Sequence, residues 1–362
     1  MIYLDYQATT PLAPEAREAM LRHLDGPDGT GFGNPHSPHR YGRLAAAAVE
    51  LARERVAALF PPGGRVIFTG TATEALNMVL RGSEPGRAGK AIAASTIEHA
   101  AVWDTAQAMP NPFHAIPVDA QGLVNPDLSL PEGTGIVAVM QVNNEIGTIQ
   151  PVAEVARAAR AAGALFLCDA VQAAGRMPIA MADCIAISAH KLHGPKGIGA
   201  LWLRDGIDIE PIVTGGGQEK GLRSGTMSPA LCAGFGAAAK LALERMEEDR
   251  AHIEALWRRA REVFSGWTLN GSAEARWHGN LNLRRDGVDV ARLMSDVRDV
   301  AFSAGSACAS GSGKPSRVLQ EIGLDDIQAK TAIRLGFGRY TGMDELESAA
   351  AAINAAARAQ GS

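Results

Sequence analysis

The segment Ser188-Ala189-His190-Lys191-Leu192-His193-Gly194-Pro195-Lys196-Gly197 sets a lysine between two histidines, behind an apolar run and ahead of a glycine-proline turn. A lysine amine forms a Schiff base with a carbonyl compound when desolvation or nearby positive charge lowers its pKa. Lys191 fits that role, whereas Lys196, between proline and glycine, reads as an exposed turn residue. A structural lysine on a loop is the commoner case, so the neighbourhood has to decide. After Val66-Ile67-Phe68 comes Thr69-Gly70-Thr71-Ala72-Thr73-Glu74, small residues running into a helical stretch. Such a start exposes backbone N–H groups at the positive end of a helix dipole and suits a phosphate. An ordinary capped helix start has the same composition. After Leu165-Phe166-Leu167 comes Cys168-Asp169-Ala170-Val171-Gln172. A strand-end carboxylate there can hold a protonated ring nitrogen, although a helix N-cap with its partner three residues on reads alike. An aldehyde-binding amine, a phosphate-binding helix start and an acid for a ring nitrogen together describe a site for pyridoxal 5'-phosphate.

The elements that must position these groups follow from the pattern. Short apolar runs at 66–68, 91–94, 135–140, 164–167 and 184–187 alternate with alanine-rich helical stretches such as 73–81 and 152–162. Strand and helix in alternation predict a mostly parallel sheet covered on both faces, with ligands at the carboxyl ends of its strands. From about Ala242 the character changes: a charged helical stretch at 245–250 leads to strand candidates at 280–283 and 332–335. This part reads as a smaller α+β domain closed by an amphipathic helix over 345–359.

The chain has 362 residues, 46% of them hydrophobic and 20% charged, with a formal net charge of -4. That length suggests about two domains, and the charge points to neither nucleic acid nor an anionic membrane surface. No apolar stretch of about 18 residues predicts a membrane span. The opening MIYLDYQATTP lacks the basic and apolar segments of a leader, so a cytoplasmic protein is expected. Cys168, Cys184, Cys232 and Cys308 show no C-x-x-C pairing. They suggest neither a disulfide framework nor a metal site.

The chain resembles the cysteine desulfurases of the nitrogen-fixation and iron–sulfur-cluster type, within the class V pyridoxal-phosphate-dependent aminotransferases. The resemblance runs nearly end to end, through Tyr3 to Pro11, Phe32-Gly33-Asn34-Pro35, Ala72-Thr73-Glu74, Glu98-His99 and Val142 to Gly147. It continues through Asp169-Ala170-Val171-Gln172, Ser188-Ala189-His190-Lys191, Arg223-Ser224-Gly225-Thr226 and Gly305-Ser306-Ala307-Cys308. It implies an aspartate-aminotransferase-like α/β fold (fold type I), with a large cofactor-binding domain over 16–245 and a small domain from 1–15 plus 246–362.

The family pattern assigns roles residue by residue. Lys191 would bind the cofactor aldehyde and move protons at the substrate Cα. His99 would stack on the pyridine ring and act in acid–base steps, where alone it would read as a helix-start residue. Asp169 would pair with the ring nitrogen and Gln172 with the ring hydroxyl. Ala72, Thr73, Ser188 and His190 would hold the phosphate, with Thr226 reaching it from the partner subunit of a homodimer. Asn34, Asn144 and Arg334 would bind the substrate carboxylate, the arginine by a bidentate grip. Cys308, among small residues that give a nucleophile access, would take sulfur from L-cysteine as a persulfide, leaving L-alanine. An iron–sulfur scaffold or another sulfur-acceptor protein would receive it. A selenocysteine lyase, or a class V aminotransferase that does not use Cys308, is the alternative. Two departures stand out: Thr69-Gly70-Thr71 replaces a serine–glycine arrangement, and Gly311, Gly313 and Lys314 make the segment after Cys308 richer in glycine and more basic.

Overall fold

The computed structural model describes residues 1–83, 85–305 and 315–361. Its main sheet has seven strands, in spatial order Gly64–Thr69, Gly199–Arg204, Cys184–Ser188, Leu165–Asp169, Thr134–Ala138, Ala91–Ser95 and Phe113–Ile116. Gly199–Arg204 runs antiparallel to both neighbours and every other pairing is parallel. The central strands are buried at every position, because helices cover both faces and leave no polar side. Alternate residues divide between two cores. Ile67, Ile92, Ile136, Leu165 and Leu201 pack under the helices Ala72–Gly82 and Ala100–Gln107. Phe68, Ala93, Val137, Phe166 and Trp202 face the helices Arg40–Ala57, Val152–Ala161 and Pro229–Val263.

A second, antiparallel sheet has the order Ser303–Ala304, Ala332–Gly336, Asn280–Arg284, Thr268–Leu269. Ile2–Tyr3 pairs parallel with Val300–Ala301 in a two-stranded sheet of their own, and Asp5 bridges from there to Gly336 of the second sheet. The same segment then crosses to the main sheet, where Thr10 N–H donates to the His190 carbonyl and Ala13 N–H to that of His193, both at 2.9 Å. It thus straps the two sheets together.

The expected α/β class is what the structure shows. Two strands of the main sheet had no counterpart in the sequence reading. Phe113–Ile116 is an edge strand interrupted by exposed His114, and Gly199–Arg204 follows the glycine-rich loop. The apolar run at 135–140 overshoots its strand, which ends at Ala138. The charged stretch at 245–250 lies within the continuous helix Pro229–Val263, so residues 245 and 246 share one helix. Its charges pair three and four residues apart, as Arg245 does with Glu248 and Asp249. Among the described residues no helix is long and apolar enough to cross a membrane.

Phe235 is fully buried on that long helix, its ring 6.1 Å from the ring of Phe68 on the sheet. Truncation leaves a cavity that rigid elements on both sides cannot close. Phe235→Ala is expected to cost about 3–5 kcal/mol of stability, read as a lowered urea midpoint at unchanged slope.

Candidate active site

A cavity of about 350 Å³ opens at the carboxyl ends of the parallel strands. Five of the strands deliver parts of its wall. The loop after Gly64–Thr69 brings Thr71, Ala72 and Thr73; the one after Ala91–Ser95 brings His99; the one after Thr134–Ala138 brings Met140 and Asn144. Asp169 ends one strand and Ser188 another, with Gln172, His190 and Lys191 in the turns that follow. Arg334, from the second sheet, and Gln7, from the N-terminal strap, complete it.

Lys191 ends a short 3-10 turn, Ala189–Lys191, directly after its strand. Its Nζ donates to the backbone carbonyls of Gln7 (2.5 Å) and Ala8 (2.8 Å). Burial, then the positive charges of Arg176 and Arg334, lower its pKa to about 8, against the opposing pull of Asp5 and Asp169. The amine therefore titrates much nearer neutral pH than an ordinary lysine and holds a sizeable neutral fraction there. The flanking histidines fix the turn. His190 Nδ1 lies 3.1 Å from Thr9 Oγ1, and burial with Lys191 nearby drives its pKa to about 4. His193 has a left-handed backbone (φ 67°), a strained state held by tertiary contacts. Its N–H donates to Thr10 Oγ1 at 2.7 Å and its Nδ1 donates to the Pro11 carbonyl at 2.9 Å. His193 does not line the cavity; it packs edge-on between Tyr6 and Tyr340.

On the opposite wall the Asp169 carboxylate accepts the Val171 N–H at 2.9 Å. Burial raises its pKa, while His99, that N–H and Lys191 pull it down. His99 caps the helix Ala100–Gln107, its Nδ1 accepting the Ala101 N–H at 3.1 Å, so the neutral ring carries its proton on Nε2. Beneath them lies Glu98, a residue quoted only as a motif member in the sequence. Its Oε1 accepts from Ser95 Oγ (2.8 Å) and Met140 N–H (2.7 Å), while Oε2 has no partner among the described residues. Burial raises its pKa to about 8.

At the far end Thr71 caps the helix Ala72–Gly82 by accepting the Glu74 N–H at 3.2 Å. The amides of Ala72 and Thr73 lie in the first turn, where a helix offers no internal acceptor. Gly199 backs this turn: a Cβ there would sit 2.7 Å from Thr71 C and 2.8 Å from Ala72 N. Only glycine lets the strand come so close.

Arg334 is 1% exposed; its Nη2 donates to Asp5 Oδ1 (2.8 Å) and its Nη1 to the Asn144 carbonyl (3.0 Å). Its Nε, and Gln7 Oε1 nearby, are buried without a partner among the described residues. Two expected residues are not in the cavity of the single chain. Asn34 is exposed, its Oδ1 accepting the His36 N–H at 2.9 Å, and Thr226 is exposed as well. Cys308 lies outside the described residues. The other three cysteines are buried and free, and burial raises their thiols, so none is primed to attack.

An amine near neutrality, a buried carboxylate needing a cationic partner and a helix start with open amides match the aldehyde, ring nitrogen and phosphate of one cofactor. Fold and donor set define a pyridoxal-phosphate enzyme of fold type I. A family profile described as aminotransferase class-V matches residues 2–348. The cysteine desulfurase IscS of Rickettsia bellii (strain OSU 85-389) is 39% identical over 368 residues, covering 96% of this chain and 89% of that protein. The mitochondrial cysteine desulfurase of Drosophila melanogaster is 40% identical, covering 96% and 78% respectively. Among solved structures, a NifS-like protein aligns with a TM-score of 0.89 at 30% identity over 98% of both chains. A NifS-like protein from Rickettsia africae ESF-5 gives 0.88 at 28% identity, covering 98% of this chain and 99% of that one. The chain belongs to the class V aminotransferases and, within them, to the cysteine desulfurases.

Two outcomes follow from this geometry. Gly199→Ala displaces the first turn of Ala72–Gly82, and is expected to raise the Kd for pyridoxal phosphate about tenfold or more, roughly 1.4 kcal/mol, in a fluorescence titration of the cofactor-free chain. Glu98 titrates near 8 when folded against its ordinary 4.5, so the folded chain holds more protons in between. Stability contributed by this group is therefore lost as pH rises through that window. Glu98→Gln keeps the acceptor for Ser95 and Met140 and should flatten the fall of Tm between pH 5 and 8.

Proposed function

We propose that this protein takes sulfur from L-cysteine with Cys308 as the acceptor, releasing L-alanine and leaving a persulfide. The balance closes: the substrate C–S bond breaks, a sulfur–sulfur bond forms on Cys308, and the substrate carbon gains a proton. The observation that supports it best is the cavity itself, where Lys191, Asp169, His99 and Arg334 converge. Bound pyridoxal 5'-phosphate supplies the electron sink that lets the substrate Cα lose and regain its proton.

The chain's own residues do the rest. Lys191, whose pKa is lowered to about 8, holds the cofactor and then carries that proton. Asp169 keeps the ring nitrogen charged, His99 covers the ring, and Gln172 meets the ring hydroxyl. Ala72, Thr73, Ser188 and His190 receive the phosphate. Arg334 and Asn144 seat the substrate carboxylate, and Arg334 Nε, without a partner among the described residues, gives the guanidinium a donor for it. A homodimer accounts for Thr226 and Asn34, which are exposed in one chain alongside the exposed apolar residues Phe32, Tyr41, Leu44 and Leu51. In that assembly Thr226 reaches the partner's phosphate site. Residues 1–15, paired to the second sheet, form the small domain together with 246–362. The acceptor downstream is a scaffold for iron–sulfur assembly or another sulfur carrier, and the cytoplasm is the compartment.

Purified protein with L-cysteine and a reductant is expected to yield alanine and sulfide in equal amounts. Cys308→Ser should lose both. Undiminished turnover in Cys308→Ser would remove Cys308 from the mechanism and favour an aminotransferase. A strong preference for selenocysteine over cysteine would favour a lyase.

A further inference from the structure

Arg176 belongs to no motif quoted above, yet it touches three of the segments that build the site. It follows Gln172 by four residues. Its Nη1 donates to the Gln172 carbonyl (3.2 Å) and to Gln172 Oε1 (2.5 Å). Its Nη2 donates to the Lys191 carbonyl (3.1 Å) and the Tyr6 carbonyl (3.5 Å). All four acceptors are neutral, and no carboxylate pairs with it among the described residues. A guanidinium so placed keeps its full positive charge inside the protein.

Two things follow. A guanidinium only donates, so the Gln172 oxygen must face it and the amide nitrogen must face the other way. Gln172 Nε2 does so, donating to the Gln7 carbonyl at 3.0 Å, the same oxygen that accepts from Lys191 Nζ. The second consequence is electrostatic. The charged and titratable groups facing Lys191 are Arg176, Arg334, Asp5, Asp169 and His190. His190 is neutral near pH 7. Arg334 is paired with Asp5 at 2.8 Å, which offsets both charges. That leaves Arg176 as the cation with no counter-charge of its own, set against Asp169.

We propose that Arg176 is a positioning residue for this site: it fixes which end of Gln172 faces the cavity, and its uncompensated charge disfavours the ammonium form of Lys191. The proposal rests on Lys191 being the cofactor-binding amine. Burial is the larger influence on that amine and Arg176 the next, so removing the charge moves the titration without restoring an ordinary lysine.

The test uses the full chain freed of cofactor. Trace acetylation with acetic anhydride across pH, quantified at Lys191 by peptide mass spectrometry, reads the amine's titration midpoint. Arg176→Met is expected to raise that midpoint by about one pH unit, a tenfold fall in the neutral amine at pH 7. Arg176→Lys keeps the charge and should leave the midpoint near wild type. An unchanged midpoint in folded Arg176→Met would overturn the proposal, as would an equal rise in Arg176→Lys. If the methionine variant loses its near-UV circular dichroism, Arg176→Gln, which is neutral but still donates, carries the same expectation. Borohydride trapping of wild type loaded with pyridoxal phosphate, followed by peptide mapping, tests the underlying reading separately. A label away from Lys191 defeats that reading whatever the titration of Arg176→Met shows.

Discussion

The site depends on an amine lodged where, among the described residues, no carboxylate bonds to it directly. Lys191 Nζ is satisfied by two backbone carbonyls, those of Gln7 and Ala8, so its ammonium form lacks the full counter-charge that burial demands. Everything around it is arranged to tolerate that. The short turn holds the lysine backbone, the left-handed His193 locks the end of the turn, and the N-terminal strap brings the two carbonyls across from the other sheet. An ion pair at Nζ would have made the same lysine more basic and a poorer nucleophile.

Two neighbouring acids, Asp169 in the cavity wall and Glu98 beneath it, are distinguished by their surroundings. Burial raises the Asp169 carboxyl, while His99, a backbone N–H and Lys191 pull it back towards the anion. Glu98 is buried deeper and counts Asp169 among the charges that discourage its own ionisation. Burial raises both carboxyls, and Asp169, with His99 and Lys191 beside it, is the one of the two that faces the cavity. The Glu98 oxygen also ties the end of one strand, at Ser95, to the loop after another, at Met140. The group that stays neutral therefore also braces the site.

Much of this was legible in the sequence because parallel sheets write themselves as continuous apolar runs, and because loops at the strand ends carry the chemistry. Lys191, Asp169 and the helix start at Ala72 are visible that way. What was not legible depends on distance along the chain. Gln7 meets Lys191 across 184 residues, and its quoted motif carried no hint of a structural bond to the amine. Glu98 looks like any acid before a helix until its burial is known. Arg176 left one local signal, its spacing of a helical turn beyond Gln172, which also fits an ordinary surface arginine. The strand Gly199–Arg204 was hidden by the glycine loop before it, and its glycine makes room for the helix start at Ala72.

The strap has a consequence for how the molecule is assembled. Its residues are synthesised long before their partners at Val300 and Gly336. Contacts of such sequence separation form late and slow folding. The two carbonyls that hold the lysine amine therefore reach their places only after the second sheet exists. A chain stopped short of Gly336 cannot present a finished site, and loading of the cofactor becomes a report that the strand Ala332–Gly336 is in place.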